Sequence, residues 1–138
     1  MKKVVLIAAA FMLTVLIFTG CGNVANAKID IGKSEAYTED ERNKVANEIK
    51  DIFFKNYDEC TLHTIKYSGD KMSEYELDYC RELIGKDYKE CIAFETEFRS
   101  PDRYRDDQAW NLNEEYSYHW YFARENGGEW EYITAGQG

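Results

Sequence analysis

Apolar positions change their spacing several times along the chain, and each change marks an element. Val4 to Phe18 is an uncharged apolar run behind Lys2 and Lys3. Gly22 to Tyr37 is small and polar without periodicity, which predicts a flexible tether and an ordered domain beginning at Thr38. Val45, Ala46, Ile49, Ile52, Phe53 and Tyr57 then recur at the spacing of one helix face. Thr38 and Glu41 stand at capping-box spacing ahead of them, so a helix is predicted from Thr38 to near Tyr57. Cys60 to Tyr67, rich in Thr and β-branched residues, reads as a strand closed by a turn at Ser68-Gly69-Asp70. A second helix is predicted from another capping box, Ser73 with Glu76, a Met72/Leu77 staple and a stop at Gly85. Leu77, Cys80 and Ile84 are its expected buried face.

From Lys89 to Arg99 the period falls to two. Ile92, Phe94 and Phe98 lie on one side, with Glu95, Glu97 and Arg99 on the other, as in a strand with one wet face. Ser100 to Asn113, with Pro101, reads as an exposed connection. Glu115 to Arg124 forms a strand, Asn126-Gly127-Gly128 a hairpin turn and Glu129 to Thr134 the last strand. The fold class is therefore α+β: helix-strand-helix followed by three antiparallel strands, the sheet laying its apolar face on the helices. Tyr116, Tyr118, Trp120 and Phe122, continued by Trp130 and Tyr132, supply that face; the competing reading is a stacking platform. This order resembles the NTF2-like and cystatin-like folds, curved sheets wrapped on helices that often enclose a pocket. A likeness of architecture implies little about function.

The apolar run matches a secretory signal and is shorter than the roughly 20 residues of a membrane-spanning helix. Phe18-Thr19-Gly20-Cys21 resembles the lipobox of bacterial lipoproteins, with Phe18 where Leu is usual. That resemblance implies a diacylglyceryl group on Cys21, cleavage before it, and anchoring at the extracytoplasmic face of the cell membrane. Two acyl chains hold firmly, since each buried CH₂ contributes ~0.8 kcal/mol. Ala25-Asn26-Ala27 offers an ordinary cleavage site, and its use would secrete a chain starting at Lys28. The expected organisation is a signal peptide at 1–20, a lipidated tether at 21–37 and one domain at 38–138.

Charge narrows the partners. The 138 residues carry a formal charge of -9; setting aside residues 1–20 removes two lysines and no acid, which leaves 15 basic against 26 acidic residues, or -11. Such a domain repels nucleic acid, whose binding depends on neutralising phosphates. Solubility explains the acidity, and a cationic partner is compatible with it.

Candidate chemistry is sparse. His63 and His119 lie in no metal-ligand spacing, so neither a metal nor a cofactor is expected. His119 shares a strand face with Glu115, Ser117 and Tyr121 and is the one candidate for proton transfer; an ordinary sheet histidine is the competing reading. Cys60, Cys80 and Cys91 permit at most one intramolecular disulfide, in an arrangement the sequence leaves open, and they form no C-x-x-C. Asp102, Asp106 and Asp107 lack the spacing of an EF-hand and stand among Arg99, Arg103 and Arg105, as in a solvated loop.

Cys60-Thr61-Leu62, Ile65, Tyr67, Tyr118, Trp120, Arg124, Gly127, Gly128, Trp130 and the closing Gly136-Gln137-Gly138 resemble a family of small lipoproteins of Gram-positive bacteria, catalogued as a domain of unknown function. The resemblance implies an extracytoplasmic place and brings no catalytic residue with it. The leading expectation is a non-enzymatic module binding a protein or a small molecule. Its rivals are a small hydrolase or isomerase using His119 in an NTF2-like pocket, and an inhibitor or immunity-type protein.

Overall fold

The computed structural model describes residues 21–103 and 110–137. The proposed signal with its Phe18-Thr19-Gly20 motif, Arg105, Asp106, Asp107 and Gly138 lie outside the described residues. Five strands, β1 (Lys28–Asp30), β2 (Thr61–Tyr67), β3 (Glu90–Arg99), β4 (Glu115–Arg124) and β5 (Glu131–Gly136), form one open sheet in sequence order. Among the described residues the helices are α1 (Glu39–Asn56), α2 (Asp70–Tyr75) and α3 (Leu77–Ile84). Strands β2 to β5 run antiparallel, whereas β1 pairs parallel with β2, so the sheet is mixed.

The α1 capping box forms as the spacing predicts: Thr38 Oγ1 accepts from the Glu41 amide, and a Glu41 carboxylate oxygen accepts from the Thr38 amide. Val45, Ala46, Ile49 and Phe53 are fully buried, with Ile52 and Tyr57 packed beside them. They meet Leu62, Ile65, Tyr67, Ile92, Phe94, Phe98, Trp120, Phe122 and Trp130 in the larger core. Trp120 Nε1 donates to Thr96 Oγ1 at 2.8 Å, which satisfies both polar groups within the apolar layer.

The second helical region differs from expectation. Helix starts at Asp70, and Ser73 is its buried interior: its hydroxyl donates to Gly69 O at 2.9 Å and accepts from the Ala93 amide at 3.0 Å. The Ser73 capping box is thus replaced by a link to β3, and the helix breaks at Glu76 into α2 and α3. Gly85 ends α3 in the left-handed conformation, as its position predicts. Of the expected buried face, Cys80 is buried and Leu77 packs beside it, but Ile84 is exposed.

The placement of this helix pair also corrects the expectation of a sheet covered on one face. Cys80 packs with Tyr88, Cys91 and Ala123. Strand alternation puts Cys91 and Ala93 opposite Ile92 and Phe94, and Ala123 opposite Phe122. The two cores therefore lie on opposite faces of the sheet, with α1 over one and α2–α3 over part of the other.

Residues 22–37 are the other correction, since they are bound to the domain and not a free tether. The Gly22 amide donates to Phe54 O, Asn23 exchanges backbone bonds with Cys60 and Leu62, and β1 extends the sheet. Gly22 is buried so closely that an added Cβ would lie 2.7 Å from Phe53 O and 3.0 Å from Tyr57 O. Val24, Ala27 and Tyr37 pack on the larger core. Most of these ties use backbone groups, which leave no apolar periodicity.

Candidate functional site

Three places combine exposure with functional groups. The first is the open half of the sheet face that α2–α3 leave uncovered. Residues of β3 and β4 alternate onto it: Glu95, Glu97 and Arg99, then Glu115, Ser117 and His119. Register sets His119 across from Glu95, whose carboxylate instead accepts from Ser117 Oγ at 2.8 Å. His63, at the irregularity between Leu62 and Thr64, reaches Glu115 at 3.0 Å. Arg99 donates to the same carboxylate at 3.1 Å. The structure thus joins His63, not His119, to a carboxylate, a pairing that depends on a bulge and is invisible to residue spacing. His63, Arg99 and Glu115 are all substantially exposed, so this is a solvated polar surface with weakly held ion pairs. Tyr121 turns away to the smaller core, edge-on to Tyr79.

The second place is an open groove of about 540 Å³ lined by Gly32, Lys33, Ser34, Glu35, Glu39, Arg42 and Asp70. Its floor is a latch. Asp70 accepts from Ser34 Oγ at 2.5 Å, Tyr67 OH at 2.6 Å and the Glu35 amide at 2.9 Å, and these bonds, Ser34 first, hold its pKa at about 2. Arg42, buried in α1, donates to Ile31 O and Gly32 O and lies over the Tyr67 ring. Both charged groups are engaged in holding residues 31–35, and their chemistry is structural.

Arg124 shows the same economy at the other end of β4. Its guanidinium bridges Glu41, at 3.0 Å, and Glu90, and lies 4.2 Å from the Trp130 ring centre. It ties the start of α1 to β3 and β4. Trp130 is buried against Tyr37, and its indole N–H has no hydrogen-bond partner among the described residues, so ring packing and the cation hold it.

The third place was not foreseen. Met72, Tyr75, Tyr79, Leu83 and Ile84 are exposed on α2–α3, Tyr75 to 80%, and the Tyr79 ring also meets Tyr121 of the sheet. The first four are spaced three, four and four apart, and Glu74, Asp78 and Glu82 stand exposed among them. The same helices bury Ser73 and Cys80 inward. Tyr75, Tyr79 and Leu83 stand in the sequence at helical spacing, but the expected buried face drew only on Leu77, Cys80 and Ile84.

Tyr116, Tyr118, Trp120 and Phe122 all face the larger core, with Trp120 and Phe122 fully buried, so the aromatic stripe is packing and not a free platform. Among the described residues no group of three or more His, Cys, Asp or Glu is placed to hold a metal, and no helix is long and apolar enough to cross a membrane. Arg103 pairs with Glu59. Comparison of the chain with protein-family models, curated proteins and solved structures finds no match.

Proposed function

We propose that this protein is an extracytoplasmic lipoprotein, anchored through Cys21, whose domain binds a protein partner with the exposed apolar side chains of α2–α3. The exposed Met72-Tyr75-Tyr79-Leu83-Ile84 surface carries the binding reading. Large apolar side chains grouped on an otherwise acidic surface lose water contact favourably only when something covers them. Tyrosine suits such a contact, because it brings a large ring at low entropic cost. The rim of Glu74, Asp78 and Glu82 favours a partner with an apolar centre and Lys or Arg around it. Membrane anchoring rests on the lipobox resemblance and on the resemblance to small Gram-positive lipoproteins. With Gly22 buried, a lipid on Cys21 would hold the domain against the bilayer with no free spacer.

The NTF2-like or cystatin-like architecture belongs to the same reading. A long helix across four sequential antiparallel strands supports it; parallel β1 and the second helical layer are departures.

A photo-crosslinking residue at Tyr75, in the chain produced in cells that anchor it, tests the binding surface. A protein adduct of defined mass that Leu83→Lys abolishes is expected. No adduct, or one indifferent to Leu83→Lys, overturns the surface. Intact mass of the membrane fraction tests the anchor: acyl mass on a chain starting at Cys21 is expected, and a soluble chain starting at Lys28 overturns it.

A further inference from the structure

Two sulfurs from different elements touch in the smaller core. Cys80 comes from α3 and Cys91 from β3; their Sγ atoms are 3.7 Å apart, and both residues are buried as free thiols. We propose that Cys80 and Cys91 are a disulfide-forming pair, and that the exported protein carries a Cys80–Cys91 bond fastening α3 to β3.

The fold selects this pairing from those the sequence leaves open. Cys60 belongs to the larger core across the sheet, so the strands separate it from both partners. An S–S bond is about 2.0 Å long, so the sulfurs must approach by less than about 2 Å, within reach of modest side-chain rotation. Tyr88, Ala123 and Leu77 surround the pair with uncharged side chains.

The oxidant is an external disulfide, of a thiol oxidoreductase or a small molecule. The thiolate of one of the two cysteines attacks it, breaking its S–S bond, expelling one thiolate and leaving a mixed disulfide. The other cysteine, on losing its proton, attacks the protein sulfur of that mixed disulfide and expels the second thiolate. One S–S bond forms in the protein and one is lost from the oxidant, which takes two electrons and, through solvent, the two protons. Because both sulfurs are buried once the domain is complete, the exchange belongs to folding, before α3 closes on β3. The bond would hold the proposed docking helices on the sheet by closing a short loop.

The oxidising setting rests on the export reading; the pairing rests on geometry alone. The full chain recovered from the cell surface is denatured in alkylating reagent without reductant, digested and mapped. A linked Cys80–Cys91 peptide pair with Cys60 alkylated is expected. Both thiols alkylated, or either one bridged to Cys21 or Cys60, overturns the proposal. The same digest shows whether Cys21 carries a lipid, so failure of the anchor is seen separately. If the chain is not exported, the purified full chain refolded with oxidised glutathione decides: a Cys80–Cys91 link supports the pair, and free thiols overturn it. Reductant should lower the oxidised protein's melting midpoint by roughly 10 °C and leave Cys80→Ala unmoved; an equal response in both overturns the bond.

Discussion

The two faces of the sheet are built from alternate residues of the same strands, yet they follow different rules. Under α1 the face is continuous and aromatic, from Tyr116 to Phe122 on β4 and from Ile92 to Phe98 on β3. On the reverse face small residues, Cys91, Ala93 and Ala123, admit α2–α3, and beyond them the surface turns to Glu95, Glu97, Ser117 and His119. A long amphipathic helix covers one face; a helix pair of two short pieces covers half of the other. Stability is therefore concentrated on the α1 side, and freedom to vary or to bind on the reverse.

Neighbours on β4 give the sharpest contrast. Trp120→Ala should destabilise the domain by about 3 to 5 kcal/mol, the cost of emptying a large buried aromatic site. Urea unfolding measures this, and a loss under about 1 kcal/mol would remove the distinction between the faces.

Residues 22–37 cross from one face to the other: Val24 and Tyr37 pack on the α1 side, while Ser34 and Glu35 hold Asp70 at the start of α2. Gly22→Ala, which drives a Cβ into the backbone of α1, should cost about 1 to 3 kcal/mol and open residues 22–37 to protease. Unchanged stability and protection would restore the tether.

Asp70→Asn should cost about 1 kcal/mol by weakening the latch bonds. Its pH signature has a definite sign. The folded pKa, about 2, lies below the ordinary carboxylate value, so the latch contribution is complete above about pH 4 and is lost as pH falls through about 2. Acid titration of stability should show a shallower fall for Asp70→Asn than for the wild type across that window. Parallel curves would remove Asp70 from the latch.

The smallest effect is expected one residue from Trp120. His119→Ala should change stability by no more than about 0.5 kcal/mol, as for surface positions without a special partner. It should also leave partner capture unaltered. A small-molecule turnover that falls a hundredfold or more in His119→Ala, with the fold intact, would make the reverse face catalytic.

Much of this fold is legible in local pattern. The Thr38/Glu41 box, the alternation of β3 and β4, the Gly127 turn and the Gly85 stop appear where spacing puts them, because each is decided by residues within one or two turns of chain. Ser73 shows the limit of such signals. Its spacing to Glu76 matches a cap, but the hydroxyl finds a better-positioned partner in the Ala93 amide, twenty residues away. The polar surface was legible in kind and not in arrangement, since His63 meets Glu115 only through a bulge in the β2–β3 pairing.

The α+β class, the α1 core face and the acidic balance follow from periodicity and charge, which are properties of the chain that survive any packing. That α2–α3 take the reverse face, that Cys80 meets Cys91 rather than Cys60, and that residues 22–37 are docked emerge from the folded arrangement. These depend on which distant surfaces close on one another. Small side chains and backbone hydrogen bonds make such contacts without imposing a period on the residues that form them.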